Sequence, residues 1–163
     1  MSNKKYRDNG AIGALLDEYE KAIADLKEVI IDLTTYQLTE IVDSETKDEA
    51  CRSIQTILAH TVRAGYTYVI EIRRWLGEDI GYTSDEQLDS VGDFIIALDT
   101  MFKYNEKLFL DYPEINIEEY DNDKKINVRW GQSYDVEQLY EHAIVHILRH
   151  RRQIERFILR LQS

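Results

Sequence analysis

A single cysteine, a single proline and no apolar run of membrane-spanning length set the first limits on this chain of 163 residues. Cys51 alone permits no internal disulfide, which fits a reducing cytoplasm. A bilayer-crossing helix needs roughly 20 predominantly apolar residues, and no such stretch is present, so no membrane association is expected. The basic start, MSNKKYRDNG, has no apolar segment behind it and does not read as a secretory signal. Cationic charge is also in short supply. Lys and Arg number 20 against 31 Asp and Glu, a net charge of −11. That balance presents the wrong field to phosphate backbones and argues against nucleic acid as a partner. The one basic cluster, Arg149, Arg151 and Arg152 with Arg156 and Arg160, reads as a solvated helix face.

What remains is ample for a core. Apolar residues are spread along the chain, which points to a single domain over residues 1–163, with a loose tail expected at most over residues 1–8. Four segments carry helical periodicity. The first spans about Ala11 to Tyr36, with Ile12, Leu15, Leu16, Tyr19, Ile23, Leu26, Ile30 and Leu33 on one face. The second spans about Lys47 to Leu76, with a seam at Ile54, Leu58, Thr61, Gly65, Tyr68 and Ile72, and Gly77 as its stop. The third spans about Leu88 to Tyr112 and ends before Pro113. The fourth spans about Val136 to Leu161, and Asp135 with Gln138 forms a candidate capping box at its start. Between the third and fourth, residues 113–134 alternate apolar and polar at Ile115–Ile117 and Lys125–Trp130, with a turn at Asn122-Asp123. The expected fold is all-α: a four-helix bundle with a long loop or short-strand insertion between helices three and four.

The chemistry lies in the histidines. There are four, His60, His142, His146 and His150, three of them spaced four apart on the last helix. Steps of four rotate by about 40°, so these three share one face, which overlaps the core side at Ala143 and Ile147. His60 borders the apolar stripe of the second helix. Neutral imidazole is the commonest metal ligand, and bundle interiors commonly house such sites. Reach then limits the set. Side-chain roots at i and i+4 stand about 6 Å apart and can converge on one ion, whereas i and i+8 stand about 12 Å apart along the axis. The last helix therefore supplies either His142 with His146 or His146 with His150. If helix midpoints pack at similar heights, His60, His146 and His150 are favoured.

No H-E-x-x-H, P-loop, dinucleotide glycine pattern or nucleophile elbow is present. Cys51 lies more than two helical turns before His60 and reads as structural. Tyr66, Tyr68 and Tyr140 are the tyrosines placed to bring hydroxyl groups near a histidine site, and most of the others should pack.

The pair His146-x-x-x-His150, followed by Arg151, Arg152, Gln153 and Ile154, resembles the last-helix signature of the DinB-like family of metal-dependent enzymes. So does Ser53–His60, an apolar run ending in His, and Trp130-Gly131 just before the last helix. The resemblance covers most of the chain and implies a divalent ion held by His60, His146 and His150. His142 would line the pocket or back the ligands. One departure is Arg152, where the family signature has Gly.

Three imidazoles leave an ion with an open position, the pattern of a catalytic site. The leading expectation is a metal-dependent transferase or hydrolase acting on a small molecule, with zinc, nickel or iron as the ion. The resemblance adds a low-molecular-weight thiol as co-substrate, because some relatives are thiol-dependent transferases or isomerases. A non-catalytic metal-binding or scaffolding bundle is the alternative, and a plain helical interaction module with rim histidines is the third. The sequence leaves the oligomeric state open, although exposed faces of such bundles commonly pair as twofold homodimers.

Overall fold

Every long helix after the first begins at a side chain able to cap it. In the computed structural model, which describes residues 5–163, five α-helices are present, four of them long. Helix α1 is Gly10–Ile30, α2 Thr35–Thr39, α3 Ile54–Trp75, α4 Val91–Asp111 and α5 Val136–Gln162. Ser53 and Thr56 form a reciprocal capping box on α3, and Asp135 and Gln138 form the expected one on α5. Ser90 accepts from the Asp93 backbone N–H at the head of α4.

These caps explain where the helices differ from their expected bounds. The first stripe does not run unbroken to Tyr36. Thr34 and Gln37 form a capping box that starts the separate short α2. The second helix does not begin at Lys47. Asp48 caps a 3-10 turn, Glu49–Cys51, and Ser53 restarts the chain as α3. Gly77, with φ +97°, follows α3 as the expected stop.

Helix α1 packs on α5 and α4, and α3 packs on α4 and α5. Tyr19, Leu26, Ile30, Leu58, Ile72, Phe94, Leu98, Met101 and Ile154 are fully buried between them. No helix among the described residues is long and apolar enough to cross a membrane.

The insertion after Pro113 forms one small hairpin. Strand β1, Ile126–Asn127, pairs antiparallel with β2, Ser133–Tyr134. Val128 N–H donates to Gln132 O at 2.9 Å, and Gly131 turns the chain at φ +88°. Residues 115–117 do not pair as a strand. Instead Ile117 O accepts from Glu137 N–H at 2.9 Å, which ties the connection to the head of α5. The hairpin thereby sets Trp130 beside α5.

Residues 1–4 of the expected tail lie outside the described residues. Beyond them the chain is held: the Arg7 guanidinium meets Asp17 at 2.8 Å and Glu106 at 2.6 Å, joining this segment to α1 and α4.

Candidate metal centre

His60 projects from α3, and His146 and His150 project from successive turns of α5. Their ligand atoms lie within 4.8 Å of one another. His146 Nε2 is 3.1 Å from His60 Nε2 and 3.1 Å from His150 Nε2. Nitrogens bound at about 2.0–2.1 Å to one ion stand roughly 2.8–3.4 Å apart for facial octahedral to tetrahedral angles, so both separations suit a shared ion. Helix-midpoint height does not account for this convergence. His60 lies in the first third of α3, because residues 47–53 are not part of that helix.

The hydrogen-bond chemistry bears on what fills this space. Arg63 has only protons to offer, and its Nη2 lies 3.0 Å from His60 Nδ1. That nitrogen carries the lone pair, so a neutral His60 ring holds its proton on Nε2. His150 Nδ1 donates to Gln153 Oε1 at 3.0 Å, which leaves the lone pair on His150 Nε2. His146 Nε2 then faces one donor and one acceptor with either a proton or a lone pair. It can satisfy one neighbour and not both. A cation accepted by all three nitrogens would end the conflict among the rings at the expense of the Arg63 bond, because His60 would then carry its proton on Nδ1. The Gln153 bond already holds His150 in the ligating tautomer and orientation.

Burial keeps the rings neutral. His146 is 8% exposed and His150 3%. Burial, reinforced by the neighbouring His150 and His60, pushes the His146 pKa down to about 2. Burial takes His150 down to about 4, and burial together with the Arg63 charge lowers His60. Lowered histidine values mean that the unfolded chain takes up protons before the folded one does. Stability of the metal-free protein should be fully present above about pH 6.5 and decline as pH falls toward 4. Urea unfolding of chelated protein at pH 7.5 and pH 5 measures it. The expected loss is at least 1–2 kcal/mol on the order of magnitude of these shifts, and equal stabilities would contradict it.

His142 does not join the cluster. It stacks on Trp130 at 6.1 Å and meets the edge of Tyr68 at 5.2 Å, lining a cleft above the triad. This cleft, about 420 Å3 in volume, has His60 and His146 among its lining residues, with Tyr68, Trp130 and three arginines around them. Among the described residues, no Asp or Glu lines it.

Of the three candidate tyrosines, Tyr68 alone stands there. Tyr66 packs with Tyr104 at 5.4 Å, and buried Tyr140 donates to Asn105 O at 3.0 Å. Cys51 is nearer the centre than its sequence distance implies. The 3-10 turn brings its Sγ to 3.9 Å from Gln153 Oε1. Burial raises its pKa, so it is no activated thiolate. It shares a second cleft of about 730 Å3 with His60 and His150. Arg63, Gln153, Trp130 and Arg149 are the neighbours that histidine spacing alone did not reveal. The helical step from His60 to Arg63, and from His150 to Gln153, was the available signal.

Compared with protein-family models and with curated proteins, the chain matches none.

Proposed function

We propose that this chain is a four-helix-bundle metalloenzyme of the DinB-like kind, with a divalent ion held by His60, His146 and His150. The observation that carries the reading is the convergence of three neutral imidazole nitrogens whose own protons cannot satisfy one another. Zinc, nickel and iron all suit such a donor set. Bound there, an ion supplies Lewis acidity that lowers the pKa of water or of a thiol.

The residues of the chain do the rest. Gln153 fixes the His150 tautomer, and with Nε2 engaged His60 carries its proton on Nδ1, so its contact with Arg63 gives way. Tyr68, Trp130 and His142 wall the approach and admit a small molecule beside the triad. Because no carboxylate lines that approach, the reaction assigned here is one that needs no acidic side chain as base. Transfer of a low-molecular-weight thiol to an electrophile meets that condition best, because the ion itself acidifies the thiol. Hydrolysis of an activated ester is the second reaction of the same class.

The test uses protein loaded with zinc, nickel or iron and two probes, glutathione with chlorodinitrobenzene and 4-nitrophenyl acetate. Metal-dependent turnover of either, abolished by chelation and restored by adding the ion back, is the expected result. Stoichiometric metal with no turnover of either probe would leave a non-catalytic metal-binding bundle. Failure to take up metal would return the histidines to ordinary interior residues.

A further inference from the structure

The cleft above the triad is positively charged in a protein whose net charge is −11. Its three arginines are Arg63, Arg129 and Arg149. Arg63 is engaged with Asp85 and His60. The other two differ from it. Among the described residues, no carboxylate pairs with Arg129 or Arg149. The Arg129 guanidinium lies over the Tyr82 ring at 4.3 Å, and its backbone N–H, not its side chain, meets Glu71. Arg7, Arg73 and Arg151 each meet an acid, whereas Arg129 and Arg149 join the cleft with their charge uncompensated.

Arg149 belongs to the basic run of α5 that the sequence alone presents as a solvated face. Its position is more specific than that. It lines both clefts that meet the histidine triad. The same cleft offers a flat apolar wall in Trp130, stacked on His142 and set edge-on to Tyr68 at 5.7 Å. A wall of aromatic faces with unpaired guanidiniums above it suits a ligand with a flat or apolar body and a carboxylate or phosphate group. A low-dielectric cleft of one sign also concentrates anions locally, against the field of the whole protein.

We infer that Arg129 and Arg149 form an anion subsite beside Trp130, and that the small molecule taken by this centre is an organic anion. The inference rests on the cleft being the mouth of the proposed metal centre, and it names the substrate class for that centre.

The test uses the full chain carrying Trp75→Phe, so that fluorescence reports Trp130 alone. The protein is stripped of metal, which keeps direct coordination of the ligand out of the measurement. Benzoate, phenyl phosphate and the neutral benzamide are titrated at pH 7.5. At least one anion should bind ten-fold or more tighter than benzamide, with affinity falling as salt rises. Which anion binds tighter separates a carboxylate from a phosphate substrate. Arg129→Gln and Arg149→Gln should each weaken anion binding at least five-fold and leave benzamide unchanged. Arg160→Gln, on the same helix but outside the cleft, should change neither. All three sites are exposed, so circular dichroism should show unaltered folding. Equal affinity for the anions and benzamide, or an equal loss in Arg160→Gln, would overturn the subsite. Metal uptake without anion discrimination overturns this inference alone. Discrimination without metal uptake supports the subsite and overturns the metalloenzyme reading.

Discussion

His146→Ala should leave the protein folded and remove its metal. Wild-type protein purified without chelator should carry near one equivalent of divalent ion by elemental analysis, and the variant should carry almost none. His146 is the member whose Nε2 stands 3.1 Å from each of the other two, so its loss breaks both close pairs at once. Two remaining imidazoles on different helices hold an ion far more weakly than three. The fold should persist because the interior does not depend on the site. Fully buried Tyr19, Leu26, Ile30, Phe94 and Leu98 pack between the helices away from the histidines. Metal-dependent folding belongs to small domains that lack such a core. Circular dichroism of the variant should therefore match that of the wild type. Retention of a full equivalent of metal would remove His146 from the ligand set.

Gly65→Ala should destabilise the protein by about 1–3 kcal/mol, the usual cost of overpacking a core. Gly65 lies on α3 facing the Met101 side chain of α4. A β-carbon there would stand 2.3 Å from Met101 Sδ and 2.8 Å from its terminal methyl. Methionine is normally adaptable, but this one is confined. It is fully buried, Tyr19 Oη lies 3.5 Å from its sulfur, and Asn105 Nδ2 lies 3.3 Å from the same atom. Asn105 also donates to Gly65 O at 3.2 Å, so a shift of either helix disturbs a buried polar contact. Thermal unfolding should show a fall of several degrees. Met101→Ala in the same chain should recover part of the loss, giving a double-mutant coupling of at least about 0.5 kcal/mol. Strict additivity would mean that Met101 is not what the new methyl meets.

The helical elements were legible because they carry two independent signals, periodic apolar residues and polar caps. Asp135 with Gln138 marks the head of α5 in both sequence and structure. Sequence overstates the first helix because apolar periodicity continues through Leu33, and the second because residues 47–53 hold no proline or glycine to mark a break. There, local bonds from Thr34, Asp48 and Ser53 decide the backbone. Reach leaves His142 with His146 and His146 with His150 both open, and the resemblance implies the set that converges, His60, His146 and His150. Helix midpoints do not align the three, because α3 begins at Ile54. Arg149 could not be placed by sequence. A charged residue on an exposed helix position looks the same whether it faces water or the rim of a cleft. That distinction depends on where the hairpin around Trp130 lands.

Arg63 joins the two ends of the site. While its guanidinium donates to His60 Nδ1, that ring has the wrong tautomer for an ion at Nε2. A metal bound as proposed would displace that bond, and Asp85 would keep the guanidinium at the cleft above. The metal-free arrangement would then compete with the ion and lower the apparent affinity for it by its population. On the proposed metal reading, an ion at the floor would end the Arg63 bond to His60 and leave Asp85 as the partner of that guanidinium at the mouth. Metal and anion would then be thermodynamically linked through Arg63, each tightening the other by the same factor.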